Sequence, residues 1–296
     1  MDDAVALLLA FSARDAFDLL GVTTVAGNVN STLTAHNACV VRALAEREDV
    51  PVFAGAGRPL LVAPVEAGHF HGANGLGDLS FPAPKKGPES ANAIAFLADT
   101  LSKATPKSIS IAVLGPLTNI ALALRANPAS ALGVREIVIM GGARSEGGNI
   151  TASAEFNIYA DPHAAAVVYS SGLPIVALGL DATHQVRTDP ARMARLEALN
   201  SVRARAACQL LRFGERVERT LAQREGAPLH DPAVIAYLLA PELFDTQTAR
   251  IDVETDSPLT RGHTAVDFRL EAPSATRWAT RVRADGVFDL LERRLA

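Results

Sequence analysis

Short apolar runs bounded by glycine alternate with longer stretches of helical periodicity along most of this chain. The runs are rich in β-branched residues and almost continuously apolar, which is typical of strands that are buried on both faces. A parallel sheet buries its strands in this way, because the helices that connect them cover both faces. The five runs span residues 21–27, 50–55, 108–115, 136–142 and 174–180.

Helical periodicity fills the intervening segments, and the alternation predicts an α/β fold with a mostly parallel open sheet flanked by helices. The second half is more helical and ends in further strands, with a turn at Asp256-Ser257-Pro258. No linker-like stretch or internal repeat interrupts the pattern, so residues 1–296 are predicted to form one domain. The predicted helices span 3–14, 31–46, 90–104, 120–127, 162–171, 190–220 (one or two helices) and 232–240, and the predicted terminal strands lie within 246–267.

Charge and motif content exclude several classes of function. The 28 basic and 32 acidic residues are mixed along the chain, so no basic block predicts a nucleic-acid partner. The glycine-rich segments lack the spacing of a dinucleotide fingerprint or a phosphate-binding loop. The apolar run at 4–11 is too short to span a membrane, and the two cysteines are too few for a disulfide framework. We therefore expect a cytoplasmic protein without membrane association.

Polar side chains follow several of the predicted strands at the point where each strand ends. Asn28 follows the first run, Thr118 and Asn119 follow the third, and the segment from Asn149 to Asn157 follows the fourth. Ligands of open parallel sheets bind outside the carboxyl ends of the strands. Carboxylates and amides gathered at this edge predict a site for a sugar or a metal ion.

Each of these polar segments also has a simpler structural interpretation. Asp2 and Asp3 suit the first turn of a helix, where acidic residues favour the helix dipole, but they also form a carboxylate pair. The segment with Asn149, Glu155 and Asn157 is either a polar surface loop or a set of groups that bind the hydroxyls of a ribose.

The remaining candidates are two histidine-containing segments and a turn. In Leu229-His230-Asp231-Pro232, Asp231 suits a helix N-cap, whereas His230 could protonate a leaving group and Asp231 could bind a hard cation. The segment 69–78 combines two histidines with glycines and is also interpretable as a flexible turn. Residues 115–119 form a strand-to-helix turn whose carbonyl groups could face a metal.

Taken in order, six segments of the chain resemble those of the inosine–uridine preferring nucleoside hydrolases. The resemblance as a whole runs from residue 2 to about residue 268. These segments are Asp2-Asp3-Ala4, Ala26-Gly27-Asn28, His71-Gly72-Ala73-Asn74-Gly75-Leu76-Gly77, Gly115-Pro116-Leu117-Thr118-Asn119, Gly148-Asn149 with Ala154-Glu155-Phe156-Asn157, and Leu229-His230-Asp231-Pro232.

The resemblance implies a mostly parallel α/β sheet, a catalytic Ca²⁺ ion and a homodimer or homotetramer. It implies that Asp3 and Asp231 bind the calcium through their side chains and Thr118 through its backbone carbonyl. His230 resembles the histidine that assists departure of the base, and His71 resembles a second histidine near the base pocket. The ribose hydroxyls are then held by Asp2, Asn28, Asn149, Glu155, Asn157 and Asp231, with Asp2 also acting in catalysis.

The implied reaction agrees with the chemistry of these groups. Calcium binds about six to eight oxygen ligands, which suits carboxylates, a carbonyl, ribose hydroxyls and water. Cleavage of a glycosidic bond passes through an oxocarbenium-like transition state, which nearby carboxylates stabilise. The resemblance therefore implies hydrolysis of ribonucleosides to ribose and free base, and direct attack by water predicts inversion at the anomeric carbon.

The N-terminus departs from the family pattern, which reads Asp-x-Asp-Pro-Gly-x-Asp-Asp. Met1 stands immediately before the aspartate pair, so a further calcium ligand and the first strand of the family are lacking in residues 1–296. Either the native protein starts upstream of Met1, which we expect, or the chain is short and impaired. We expect weak or absent hydrolysis from residues 1–296 alone. A non-catalytic nucleoside- or ribose-binding protein on the same scaffold is the alternative.

The segment expected to contact the base is also unusual. Residues 213–227 contain no tyrosine, and the single tryptophan of the chain, Trp278, lies near the C-terminus. The presence of both His71 and His230 favours the pyrimidine-preferring or broad-specificity members. A metal-dependent phosphohydrolase built on His230 and Asp231 would need a denser cluster of histidine and aspartate.

Overall fold

A mostly parallel sheet with helices on both faces forms the framework of the computed structural model, which describes residues 1–270 and 272–296. Each of the five predicted apolar runs overlaps a strand, although β4 begins two residues before its run, so the predicted α/β class is confirmed. Those strands are β1 (Val22–Thr24), β2 (Val52–Ala54), β3 (Ile109–Val113), β4 (Val134–Met140) and β5 (Ile175–Leu178), and they are followed by β6 (Phe244–Thr248), β7 (Arg250–Val253), β8 (Thr264–Asp267) and β9 (Thr276–Val282).

The strands form one large sheet and two pairs. The large sheet has the order β3-β4-β5-β9-β6, in which only the β6–β9 pair is antiparallel. Strands β1 and β2 form a separate parallel pair, whereas β7 and β8 pair in antiparallel fashion. The carboxyl ends of β1 to β5 therefore lie at a common edge.

The helices cover the two faces of the sheet and match the predicted positions closely. The segment 190–220 contains two helices followed by a π-helical turn at Glu218–Ala222, and a 3₁₀ turn spans Pro241–Leu243. The helices are α1 (Asp2–Ser12), α2 (Ser31–Leu44), α3 (Gly68–His71), α4 (Ala93–Lys103), α5 (Thr118–Ala126), α6 (Ser130–Gly133), α7 (Phe156–Ala160), α8 (Pro162–Tyr169), α9 (Leu180–Thr183), α10 (Pro190–Glu197), α11 (Val202–Val217), α12 (His230–Leu239) and α13 (Ala284–Leu295).

The sequence reasoning missed the last strand and the last helix. Strand β9 lies inside the large sheet between β5 and β6, although Arg277 and Arg281 interrupt its apolar pattern. Trp278 in β9 is only 1% exposed and occupies the space beside Gly179 and Gly142. The tryptophan is therefore part of the core.

A cleft separates the β1–β2 pair from the large sheet. Within residues 1–270 and 272–296, β1 pairs only with β2, and β3 pairs only with β4. The cavity between β1 and β3 has a volume of about 910 Å³, and apolar side chains such as Leu7, Val22 and Ile111 line it. The expectation that a further strand precedes Met1 stays a prediction.

Two buried side chains connect the two sides of this cleft near the carboxyl ends of the strands. Asn119 donates to the carbonyl of Thr24 and accepts from the amide of Ala56, both at 2.9 Å. Asp161 accepts from the amide of Leu60 at 2.9 Å and from the hydroxyl of Thr118 at 2.7 Å. These hydrogen bonds fix the loops after β1 and β2 against the start of α5.

Candidate active site

Three aspartates that are distant in sequence meet at the carboxyl edge of the strands. Asp2 and Asp3 form the first turn of α1, and Asp231 lies in the first turn of α12. Helices α1 and α12 pack against each other, and this packing brings one oxygen atom of each carboxylate within 4.8 Å of the others. Asp2 and Asp3 thus occupy a helix N-terminus, as the simpler interpretation predicts. Asp231 is not the expected N-cap, because α12 begins at His230 and its N-cap is Leu229. The three aspartates also form an acidic cluster.

The charge of this cluster is poorly compensated. Burial and the negative charges of Asp2 and Asp3 hold the pKa of Asp231 well above its usual value. Burial also raises the pKa of Asp3. The α-amino group of Met1 lies 3.6 Å from Oδ2 of Asp3 and 3.9 Å from Oδ1 of Asp2. Carboxylates that repel one another in this way suit a hard divalent cation, whose preferred ligands are oxygen atoms.

Thr118 lies in the first turn of α5, where its hydroxyl group is used in a hydrogen bond. Its hydroxyl donates to Oδ2 of Asp161 at 2.7 Å, and both residues are buried. The side chain is therefore engaged in a structural hydrogen bond. The family resemblance assigns the main-chain carbonyl oxygen of Thr118, in the first turn of α5, to the calcium ion.

Asn28 lies next to the aspartates, as predicted. It follows β1, and its Nδ2 donates to Oδ2 of Asp3 at 3.2 Å. Its carbonyl oxygen Oδ1 has no hydrogen-bond partner within the described part of the chain. This oxygen is available to a ligand hydroxyl.

The segment from Asn149 to Asn157 forms an ordered loop that leads into α7. Glu155 is the N-cap of α7, where its carboxylate accepts hydrogen bonds from the amides of Asn157 at 3.0 Å and of Gly142 at 3.1 Å. Burial raises the pKa of Glu155 to about 7, and the charge of Asp2 acts in the same direction. Glu155 therefore lies in the electrostatic field of the aspartate cluster.

The two asparagines of this segment differ in burial. Asn157 is buried, and its Nδ2 donates to the carbonyls of Leu114 at 3.1 Å and Met140 at 3.2 Å, which lie at the ends of β3 and β4. Asn149 is exposed, and its Oδ1 accepts from the amide of Phe156 at 2.9 Å. Asn157 is thus fixed by the sheet, whereas Asn149 is held by the loop.

His71 and His230 are both uncharged near neutral pH. Burial lowers the pKa of His230 to about 3, and the charges of His184 and Arg187 add to this effect. Burial also lowers the pKa of His71 well below its usual value, with contributions from the Met1 amino group and from His230. A neutral imidazole assists a leaving group by donating a hydrogen bond, which refines the expectation that His230 delivers a proton.

Sequence reasoning missed the neighbours of His230. The hydroxyl of Thr183 lies 2.7 Å from Nδ1 of His230, and the rings of His184 and His230 are 5.6 Å apart. Nδ1 of His184 lies 3.0 Å from Oε2 of Glu146. Thr183 and His184 lie three and four residues after the strand run at 174–180. The expectation that functional residues follow strand ends, which selected Asn28 and Thr118, could therefore also have found them.

Comparison with known proteins agrees with this arrangement. The family model for inosine-uridine preferring nucleoside hydrolases matches residues 1–289. The pyrimidine-specific ribonucleoside hydrolase RihA of Salmonella gallinarum is 38% identical in an alignment of 298 positions, which covers 99% of this chain and 94% of the relative.

Solved structures show the same fold. A plant nucleoside hydrolase, PpNRh1, superimposes with a TM-score of 0.92 at 30% identity, over 99% of this chain and 95% of the plant chain. The purine-preferring ribonucleoside hydrolase from Gardnerella vaginalis also has a TM-score of 0.92 at 30% identity, over 99% and 94% of the two chains. The chain therefore belongs to the inosine-uridine preferring nucleoside hydrolase family of enzymes.

Proposed function

We propose that this protein hydrolyses the N-glycosidic bond of ribonucleosides, with a water molecule activated by calcium, to give ribose and a free base. The observation that carries the proposal is the convergence of the carboxylates of Asp2, Asp3 and Asp231 within 4.8 Å. Asp3 and Asp231 would hold the ion together with the carbonyl oxygen of Thr118. A bound calcium ion lowers the pKa of a coordinated water and orients it toward the anomeric carbon.

The groups around the cluster suit a ribose. A ribose presents adjacent hydroxyl groups, which donate to carboxylate or carbonyl oxygens and accept from amides. Asp2 and Asp231 supply carboxylate oxygens, and Glu155 is held by the amides of Asn157 and Gly142. Asn28, Asn149 and Asn157 supply side-chain amides. The charge of Asp2 would also stabilise the oxocarbenium-like transition state.

His230 and His71 form the proposed leaving-group side of the site. Both side chains are half-buried and neutral, and His230 is one of the groups that lower the pKa of His71. The departing base gains negative charge on its nitrogen and oxygen atoms. A donor N–H from a neutral imidazole stabilises that charge.

We further propose a pyrimidine-preferring or broad base specificity. The single tryptophan, Trp278, is 1% exposed in the core and cannot stack on a base. A relative that is named pyrimidine-specific is 38% identical over 99% of this chain, whereas the purine-preferring Gardnerella structure is 30% identical. Both observations favour a pyrimidine-preferring or broad specificity over a purine preference.

The family resemblance also supports a homodimer or homotetramer as a proposal, and the presence of only two cysteines supports a cytoplasmic location. No helix within residues 1–270 and 272–296 is long and apolar enough to cross a membrane. The mass of the particle, measured by light scattering after size-exclusion chromatography, tests the oligomeric state.

The test is an assay of base release from uridine, cytidine, inosine and adenosine, with calcium and with a chelator. We expect any base release by residues 1–296 to be weak, calcium-dependent and fastest from the pyrimidine nucleosides, and we expect its loss in Asp231→Ala. Asp99→Ala is the matched control, because Asp99 is an exposed aspartate on α4 that pairs with Lys103. Full activity of Asp231→Ala after chelation would refute the metal mechanism. Nucleoside binding by calorimetry without base release would instead favour a binding protein.

A further inference from the structure

Thr183 ends the short helix α9 at the same edge of the sheet as the proposed active site. It is completely buried, and its Oγ1 lies 2.7 Å from Nδ1 of His230. Within the described residues, this is the only hydrogen bond of the Thr183 hydroxyl. Because the residue is inaccessible to solvent, bulk water cannot supply a second partner.

The direction of this hydrogen bond follows from the hydroxyl group. A threonine hydroxyl has one hydrogen to donate, and a buried donor without an acceptor costs about 1–3 kcal/mol. If Nδ1 of His230 carried a proton and donated a hydrogen bond to Thr183, the hydroxyl hydrogen of Thr183 would have no acceptor. The hydroxyl therefore donates, and Nδ1 of His230 accepts through its lone pair.

A neutral imidazole carries its single proton on one of the two ring nitrogens. When Nδ1 accepts a hydrogen bond, the proton is on Nε2. We propose that Thr183 is a positioning residue that fixes His230 as the Nε2–H tautomer and so presents an N–H donor to the departing base. The link to the base rests on the proposed hydrolase function, whereas the tautomer does not.

The surrounding residues hold Thr183 and His230 in place. Both carboxylate oxygens of Asp181 accept main-chain hydrogen bonds, from the amides of Arg144 at 2.8 Å and Ser145 at 2.7 Å. These bonds tie α9 to the loop that carries Glu146, which contacts His184. The charged and titratable groups that act on His230 from neighbouring elements are His71, His184 and Arg187.

The first test observes the tautomer directly in residues 1–296 and requires no turnover. A long-range ¹H–¹⁵N correlation spectrum separates protonated from unprotonated ring nitrogens, and the spectrum of His230→Gln assigns the His230 signals. We expect the Nε2–H pattern in the unmodified chain and in Thr183→Ser, which keeps the hydroxyl. Thr183→Val keeps the shape without the hydroxyl, and we expect a mixture of tautomers.

Two results would overturn the assignment. One is an Nδ1–H pattern in the unmodified chain, which does not depend on any variant being folded. The other is an unchanged, single Nε2–H pattern in folded Thr183→Val, since the hydroxyl would then not control the tautomer.

The second test uses substrates that differ in their need for help from a donor. Uracil leaves poorly as an anion, whereas the nitrophenolate of p-nitrophenyl ribofuranoside leaves without assistance. In Thr183→Val we expect kcat for uridine to fall about tenfold or more, with KM within about twofold. On the nitrophenyl substrate we expect a change below about threefold, and Thr183→Ser should restore uridine turnover.

The outcomes separate the two proposals. An equal loss on both substrates would show that Thr183 supports the site as a whole and would refute its role toward the leaving group. Hydrolysis of uridine that persists unchanged in chelator, or nucleoside binding without any hydrolysis, would count against the proposed function, and the tautomer spectrum would still decide whether Thr183 fixes His230.

Discussion

Nδ2 of Asn28 donates a hydrogen bond to Oδ2 of Asp3 at 3.2 Å, which connects the loop after β1 to the first turn of α1. Asn28 thereby stabilises one of three mutually repelling carboxylates with a neutral donor. The bond also orients the side chain, so that its carbonyl oxygen is left for a ligand. Charge compensation and ligand binding thus depend on the same amide group.

Asn28→Ala should therefore affect both stability and activity. We expect the free energy of unfolding to fall by about 1–2 kcal/mol, because a hydrogen bond to a charged group is lost. We expect kcat/KM for uridine to fall about tenfold or more, since the ribose loses a contact. Asn30→Ala is the control, because Asn30 caps α2 by accepting from Leu33 at 3.1 Å. Equal kcat/KM losses in both variants would contradict the ribose role.

Asp231→Asn should have opposite effects on the metal-free and the calcium-bound protein. Without calcium, we expect the free energy of unfolding at pH 8 to rise by about 1 kcal/mol, because a buried carboxylate beside Asp2 and Asp3 becomes neutral. With calcium at about 100 times its Kd, the unmodified chain should gain about 2.7 kcal/mol. The variant should gain almost nothing. Urea unfolding with and without chelator measures both, and an unchanged calcium response would contradict the site.

The raised pKa of Glu155 predicts a dependence of stability on pH. The folded protein keeps the Glu155 proton up to about pH 7, because burial raises its pKa, whereas the unfolded chain loses it near the ordinary glutamate pKa of 4.5. The stabilisation is therefore complete below about pH 4.5 and is lost as the pH rises through about 7. In this interval the proton contributes a slope of up to about 1.4 kcal/mol per pH unit.

Glu155→Gln removes this proton and should flatten the pH profile of the free energy of unfolding in chelator. Asp3 and Asp231 have raised pKa values too, so the informative quantity is the difference in slope between the variant and the unmodified chain. Parallel profiles between pH 5 and about pH 8 would show that Glu155 has an ordinary pKa.

Thr118→Val separates the structural side chain of Thr118 from its main-chain role. Loss of the donor to buried Asp161 should lower the free energy of unfolding by about 1–3 kcal/mol. The Kd for calcium should change by less than about threefold, because the main-chain carbonyl remains. Thr118→Ser should keep the stability. Calorimetric calcium titration checks the affinity, and a large affinity loss in a folded Val variant would show that the hydroxyl matters to the metal.

Gly179→Ala should destabilise the link between β5 and α9. A Cβ atom at this position would collide with the indole ring of Trp278 and with the carbonyl oxygen of Gly142. We expect a loss of about 1–3 kcal/mol in the free energy of unfolding. Gly87→Ala is the control, because no heavy atom lies within 4 Å of a Cβ atom there. Combined with Trp278→Phe, the loss should be less than additive, and strict additivity would contradict the contact.

The sequence predicted the strands whose apolar side chains are buried in the folded protein. Strand β5 is a continuous apolar run that is buried throughout, and β4 is apolar and buried from Ile137 to Met140. Strand β3 is more exposed because it borders the cleft. The convergence of Asp3 with Asp231 followed from a family resemblance, since no local pattern relates the first turns of α1 and α12. The positions of Asn28 and Asn157 after predicted strands independently placed both residues at the same edge, because ligands of parallel sheets bind at the carboxyl ends of the strands.

The missed features depend on contacts between segments that are distant in the chain. Strand β9 contains Arg277 and Arg281, and its place in the sheet is decided by pairing with β5 and β6. The shifted pKa values of His230 and Glu155 arise from burial, which composition does not reveal. The bond between Thr183 and His230 needs the turn after β5 to meet the start of α12.

The bridges made by Asn119 and Asp161 lie at one end of the cleft between β1 and β3. We therefore expect the β1–β2 pair to move relative to the large sheet by rotating about the carboxyl ends of the strands, with the largest displacement at their amino ends. Amides of β1 and β2 should exchange with solvent deuterium through local opening more readily than those of β4, which has partners on both sides. A motion of this kind would leave the relative positions of the side chains in the proposed active site unchanged.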